Sequence, residues 1–333
     1  MEKHVRRIGV LTSGGDAPGM NAAVRAVVRT AVNNGVECVG IRRGWNGLIS
    51  SDFIHMNASN VSHTINKGGT LLYTARSQEF MDPAGRAKAL GTCKLLGLDG
   101  IVAIGGDGTF RGALALSQQA ADSGQKLQVV GIPATIDNDI GCSHYTIGFD
   151  TACNTAIECI DKLRDTMQSH ERCSVVEVMG RHAGYLALYV GLSVGATAVL
   201  IPERPLDFER DIIEKIRRAR LAGSTHYMIV VAEGVGSAMD IGKRIHEEIG
   251  LDPRVTVLGH IQRGGSPTAR DREMASRMGY KAVMSLIEGK GNRVIGTQNG
   301  QLIDMDMIEA LAMKKTFQMD RYQILESLAI AQS

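Results

Sequence analysis

Short apolar runs alternate along the chain with longer amphipathic segments, and no other feature limits the possible folds so sharply. The runs fall at 8–12, 36–41, 101–104, 127–132, 174–178, 198–201, 227–232, 255–258 and 294–297. Helical periodicity fills the intervals at 21–32, 151–167, 206–221, 239–249 and 272–287. Runs of four to six apolar residues separated by helices predict parallel strands buried on both faces. Nine strands are more than one modest sheet needs, and 333 residues suffice for two cores. The expected architecture is α/β, with two doubly wound, mainly parallel sheet domains sharing a cleft, because no Ser/Pro-rich linker or charge block separates them.

Charge and cysteine content narrow the function. Thirty-seven Lys and Arg against thirty-five Asp and Glu give a formal net charge of +2, too balanced for bulk attraction to nucleic acid. The six cysteines, at 38, 93, 142, 153, 159 and 173, form no C-x-x-C pair and read as reduced packing residues. The first residues are charged and lack the apolar core of an export signal, so a cytoplasmic protein is expected. The longest uncharged stretch, 185–201, is interrupted by Gly191, Ser193 and Gly195; it is read as a buried helix followed by a strand, not a membrane span.

In open parallel sheets, ligands bind beyond the carboxyl ends of the strands. Here those ends carry Ser13-Gly14-Gly15-Asp16, Gly105-Gly106-Asp107-Gly108-Thr109, Thr135-Ile136-Asp137-Asn138-Asp139, Met179-Gly180-Arg181, Glu233-Gly234 and His260-Ile261-Gln262-Arg263. Glycines at a strand-to-helix turn either make the turn or admit a phosphate to backbone N–H groups at the helix's positive end. Neither the P-loop pattern nor G-x-G-x-x-G occurs. Asp107 would repel a phosphate unless a cation such as magnesium lay between them; capping the next helix is the alternative. Thr135, Asp137 and Asp139 alternate, so an extended chain puts them on one side, where a carboxylate can take a hydroxyl proton. A solvated Asx turn is the simpler reading of the same string. Arg76, Arg172, Arg181, Arg254 and Arg263 stand in or near loops, where guanidinium groups suit phosphates.

Together these segments resemble bacterial-type ATP-dependent 6-phosphofructokinase over nearly the whole chain, from Ile8 to about Phe317. Five strings match in order and spacing: those beginning at Gly9, Gly105, Thr135, Val175 and Leu258. The resemblance implies that ATP is held by Gly15, Trp45, Arg76, Ser77, Gly106, Asp107, Gly108 and Thr109, with Trp45 against adenine and Asp107 at Mg2+. It implies catalysis by Asp137 as base, with Thr135, Asp139, Arg76 and Arg181. Thr135, Ile136, Asp137, Met179, Gly180, Arg181 and Glu233 would hold fructose 6-phosphate. Arg172, Arg254, His260 and Arg263 would bind its 6-phosphate, the first two reaching in from a neighbouring subunit of a homotetramer, and Ile261 and Gln262 would be further substrate-binding residues. A nucleotide domain is implied over 1–145 and 262–312, and a sugar-phosphate and effector domain over 146–261 and 313–333.

Three departures shape the expected activity. Gly108 and Ala134 replace the Asp and Lys of pyrophosphate-using relatives, which favours ATP over pyrophosphate as donor. Met81 stands where the family often has a nucleotide-side arginine. The effector residues Arg25, Arg29 and Arg164 are kept, but Ala58, Thr197, Ala222 and Ser224 replace charged contacts, so weak control by ADP and phosphoenolpyruvate is expected. A catalytically silent sensor on the same fold is the rival from another class.

Overall fold

The computed structural model describes residues 5–170 and 172–329. Among them the strands are β1 (Arg7–Ser13), β2 (Glu37–Ile41), β3 (Phe53–Met56), β4 (Gly100–Gly105), β5 (Gln128–Pro133), β6 (Cys173–Val178), β7 (Ala198–Leu200), β8 (Tyr227–Ala232), β9 (Arg254–Val257), β10 (Arg293–Gln298) and β11 (Gln301–Asp306). The α-helices are α1 (Met20–Asn33), α2 (Trp45–Ser50), α3 (Pro83–Leu96), α4 (Asp107–Asp122), α5 (Phe149–His170), α6 (Tyr185–Ser193), α7 (Glu214–Leu221), α8 (Ala238–Ile249), α9 (Ala269–Ile287), α10 (Met307–Ala312) and α11 (Met319–Ala329). All nine apolar runs became strands, and 185–201 became α6 followed by β7. The expected helix at 206–221 instead opens with a π-helical turn at Glu209–Ile213 before α7.

The chain divides into two compact units. One takes the chain up to Ile136, then Ile140–Asp150 and Arg263–Lys315; the other takes Asp137–Asp139, Thr151–Gln262 and the chain from Thr316.

The first unit is built on a seven-stranded sheet of order β11-β10-β5-β4-β1-β2-β3. Its inner strands are parallel, and only the rims, β3 and β11, run the other way. Neither rim strand shows in the sequence as an apolar run, because each is only half covered. Leu11, Val39, Ile101, Ala103 and Val129 are buried from the sheet against Leu48, Leu90, Phe110 and Leu116 from the helices. Helices α1 and α9 approach so closely that a methyl group on Gly279 would lie 2.7 Å from Cβ of Ala26. The parallel register sets Ser13 opposite Gly105, and Gly105 opposite Pro133, so three loops leave the sheet side by side.

The second unit carries a four-stranded, wholly parallel sheet of order β7-β8-β6-β9. Val175, Ile229 and Val231 pack against Phe208, Ile212, Ile216, Ile241 and Ile245. Helix α8 is capped by the Ser237 hydroxyl, which accepts from Asp240 N. At the carboxyl edge Val178 is opposite Ala232, and Leu258 N donates to Glu177 O at 3.0 Å. The segments beginning at Met179, Glu233 and Leu258 therefore start as neighbours.

Five of the cysteines are buried and Cys159 is half-buried. Burial pushes the thiols of Cys38, Cys93 and Cys173 up to about 12, which suppresses thiolate chemistry and fits the packing role read from the sequence.

Candidate active site

In the first unit the candidate ligand-binding groups are mostly backbone. In the first unit, Thr109 Oγ1 donates to Ser13 O at 3.1 Å, tying the loop after β4 to the loop after β1. Thr74 Oγ1 donates to Gly14 O at 2.8 Å, and Thr12 Oγ1 donates to Tyr73 O at 2.8 Å, so the segment carrying Arg76 and Ser77 is held to the same loop. Ser77 Oγ accepts from Phe80 N. The glycines here divide by what a side chain would meet. A methyl group on Gly105 would collide with Ser13 O and the Thr109 side chain, so that glycine is required by packing. One on Gly106 or Gly108 would touch nothing in the protein within 4 Å. Open ground around two glycines that the fold does not need, at the amino end of a sixteen-residue helix, is room for an anion. Asp107 is exposed and opens α4.

The catalytic-looking run starts where β5 ends. Burial alternates along it: Ala134, Ile136, Asn138 and Ile140 are buried, whereas Thr135, Asp137 and Asp139 are not. Exposure alternates as the sequence suggested, but the extended chain expected there is absent: 136 and 137 form a turn and Asn138 sits at φ 50°. Thr135 is fixed through its carbonyl, which accepts from Thr146 Oγ1 at 2.6 Å.

In the second unit the candidate groups are side chains. Glu233 N donates to Val178 O at 2.9 Å and Gly234 N to Gly180 O at 3.3 Å, which aligns Met179-Gly180-Arg181 with Glu233 at the carboxyl edge. Arg181 and His260 are exposed, Glu233 is half-buried, and Met179 is buried. Ile261 is exposed, and Gln262 is buried with Nε2 donating to Gly259 O. Arg172 and Arg254 lie elsewhere. They stand at the amino ends of β6 and β9, whereas Arg181 and His260 follow the carboxyl ends; at ~3.3 Å per residue the strands between span roughly 15 to 20 Å for β6 and roughly 10 Å for β9. Within one copy of the second unit these two arginines are not brought to the others.

A family model for Phosphofructokinase matches residues 7–286. The chain belongs to the phosphofructokinase family. It is 54% identical to the ATP-dependent 6-phosphofructokinases of Bacillus cytotoxicus and Bacillus anthracis, over 98% of its own length and all of theirs. Its backbone is similar to that of phosphofructokinase from Saccharomyces cerevisiae, with TM-score 0.90 and 34% identity, covering 98% of this chain and 50% of the yeast chain. A pyrophosphate-dependent phosphofructokinase from Marinobacter aquaeolei shares the fold at 20% identity and TM-score 0.84, over 98% of this chain and 92% of that one.

Against the family pattern, two side chains sit differently from the sequence reading. Trp45 is not an open platform for adenine: it is 4% exposed and stacked on Phe80 with ring centroids 4.6 Å apart. The apolar ring gains more from that core contact than from standing in water. Arg263, read as a phosphate ligand, lies over Gly15 in the first unit, and its Nη1 donates to Asp16 O at 3.1 Å. Met81 is exposed, and Arg86 holds the turn that carries it by donating to Phe80 O and Met81 O. Of the effector candidates, Arg25 is half-buried and Arg29 exposed on α1. Arg164, in the other unit, donates to Val194 O and lines a cavity of about 250 Å³ with Thr197, Ser224 and His226.

The sequence reading missed the residues that hold the site without touching ligand. Thr74 and Arg86 have no local pattern that would reveal them. Asp271 had a partial signal, the capping string Thr268-x-x-Asp271, and the Thr268 side chain does accept from Asp271 N. That string says nothing of the carboxylate's second set of partners.

Proposed function

We infer that this chain is an ATP-dependent 6-phosphofructokinase, transferring the γ-phosphoryl of ATP to the 1-hydroxyl of fructose 6-phosphate to give fructose 1,6-bisphosphate and ADP. Identity of 54% to ATP-dependent enzymes over their full length supports it, and one structural observation carries it: the open ground at Gly106 and Gly108 beside Asp107. A second acid at position 108 would fill the space that an α-phosphate needs. Ala134 is buried and offers no cation for pyrophosphate.

In this reading the loop amides after β1 and β4, with Arg76, hold the nucleotide's phosphates. Asp107 would hold a magnesium ion there, since an exposed carboxylate together with phosphate oxygens is a donor set that ion commonly takes. When bound, the metal supplies positive charge to the phosphate oxygens. Among the described residues no group of three or more His, Cys, Asp or Glu forms a protein-only cage. Asp137 accepts the proton of the attacking hydroxyl, and Arg181 stabilises the charge on the moving phosphoryl group. Thr135 and Asp139 flank the base, while Met179, Gly180 and Glu233 grip the sugar. His260 and Arg263 bind the 6-phosphate, Arg263 exchanging its bond to Asp16 O for the ligand.

Arg172 and Arg254 complete that phosphate site from a neighbouring subunit, in a homotetramer of this chain. Their distance from Arg181 along β6 and β9 supports the sharing. A cytoplasmic location belongs to the same reading; among the described residues no helix is long and apolar enough to cross a membrane. The test is direct: purified protein with magnesium, fructose 6-phosphate and either ATP or pyrophosphate. Turnover with ATP is expected, and turnover with pyrophosphate alone would overturn the donor assignment. No turnover with either would favour the sensor.

A further inference from the structure

A buried carboxylate lies directly behind the reacting loops with no part in the chemistry above. Asp271 is 0% exposed, in the first turn of α9. Its Oδ1 accepts from Gly148 N at 2.7 Å and from the hydroxyl of Tyr145, which is itself buried. A buried carboxylate that accepts several hydrogen bonds at the positive end of a helix is held strongly and in one orientation. Burial, together with the charge and hydrogen bond of Asp271, pushes the Tyr145 hydroxyl far above its ordinary range, so it stays protonated as a donor.

What Asp271 holds is the segment 145–148, and that segment touches both halves of the reaction as the first unit presents them. On one side it backs the run that leads into Asp137. Ile147 N donates to Pro133 O at 3.0 Å, Ile147 bridges Ala134 in parallel, and Thr146 Oγ1 donates to Thr135 O. On the other side it packs on the loop after β1. Gly148, at φ 102°, lies so close to Ala17 that an added methyl group would come within 2.6 Å of its Cβ. Gly19, at φ 107°, stands equally close to Ile147, with Asp271 Cβ next nearest at 3.5 Å. Both glycines combine a left-handed backbone with contacts too tight for a side chain.

We propose that Asp271 and Tyr145 are a positioning pair that fixes segment 145–148 as a spacer between the loop after β1 and Thr135, and thereby sets where Asp137 begins. The inference rests on the activity proposed above. The pair touches neither substrate. It acts through the peptide at Thr135, and a displacement there of about 1 Å is enough to cost on the order of 100-fold in rate.

The test compares wild type with Tyr145→Phe and Asp271→Asn under saturating ATP, magnesium and fructose 6-phosphate, with melting temperature and amide exchange at Ile147 measured in parallel. Tyr145→Phe removes one oxygen from the core and keeps the bond from Gly148. The expected result is a fall in kcat of about 10-fold to 100-fold, with KM for both substrates within about 2-fold and faster exchange at Ile147. Asp271→Asn should show the same split, more strongly. If Asp271→Asn fails to fold, Tyr145→Phe decides alone. A lowered melting temperature with wild-type kcat well below it would reduce the pair to structural packing and overturn the proposal. An inactive wild type would instead bring down the activity reading, and this inference with it.

Discussion

The amino end of α4 and the carboxyl edge of the four-stranded sheet solve the same problem in opposite ways. At α4, an anion is offered main-chain N–H groups, and the side chains are notable for being missing at Gly106 and Gly108. At the other edge, Arg181, Glu233 and His260 project as charged or polar groups from strand ends whose main chain is already satisfied by its neighbours. The first arrangement fits a ligand whose recognised part is phosphate throughout. The second fits a ligand that must also be told apart by its hydroxyls, since side chains can be chosen for donor and acceptor character while backbone amides cannot. The difference also decides what breaks each: adding a methyl group at the first, removing a charge at the second.

The largest effect should come from the base. Asp137→Ser is expected to lower kcat by about 100-fold to 10,000-fold, with KM for fructose 6-phosphate changed only a few-fold, as steady-state kinetics would read. Near-normal turnover in that variant would remove Asp137 from its role and with it the acceptor side of the comparison. Next come the two arginines at the amino ends of β6 and β9. Arg254→Ala or Arg172→Ala should raise KM for the sugar phosphate by about 10-fold to 100-fold, as the loss of a charge-assisted hydrogen bond predicts. Mixing Arg254→Ala with Asp137→Ser and reassembling the subunits should restore part of the activity, because some sites then draw a good base from one copy and a good arginine from another. No recovery in the mixture, with both proteins folded, would confine the site to one chain.

The glycine pair sharpens the donor side. Gly105→Ala should lower stability by about 1 to 3 kcal/mol through overpacking against Ser13 and Thr109. Gly108→Ala should leave the melting temperature alone and raise KM for ATP. Thermal melts and ATP titrations of the two variants read this contrast, and an unchanged KM in Gly108→Ala would mean that the open ground is not where the nucleotide lies. The smallest effect is expected from regulation. With Thr197 and Ser224 beside Arg164 in the 250 Å³ cavity, ADP and phosphoenolpyruvate should change the rate by less than the roughly 5-fold at the low end of allosteric coupling. A strong response to either in a simple titration would show that other residues supply the charge.

The sequence carried the parallel core of the fold because each inner strand is buried on two faces and so reads as an unbroken apolar run. The rim β3 escaped because a half-covered strand such as Phe53–Met56 mixes polar and apolar residues; β11 is no apolar run either, and the signal that could have found it is Asn299-Gly300, the two-residue hairpin turn joining it to β10. In the candidate site, the sequence showed Gly, Asp and Arg gathered after apolar runs, and the structure places those segments at the carboxyl ends of strands. Trp45 was misread because an aromatic near a nucleotide loop looks the same whether its partner is adenine or Phe80; only packing separates the two. Asp271 was half legible, since a capping string fixes where a helix starts but not which distant segment its carboxylate will hold.

The two reversed rim strands of the first unit have a meaning for the molecule in crowded solution. A parallel sheet left bare at its margins would offer every passing chain a row of ready amide partners. Here β11 covers the open side of β10, and its carboxylates are used within the chain: Arg293 Nε donates to Asp304 Oδ1 at 2.6 Å and Ile308 N donates to Asp306 Oδ1. With β3 and β11 in place, every parallel strand of this sheet has a neighbour on both sides, and none of them is left as the row that a foreign strand would meet first.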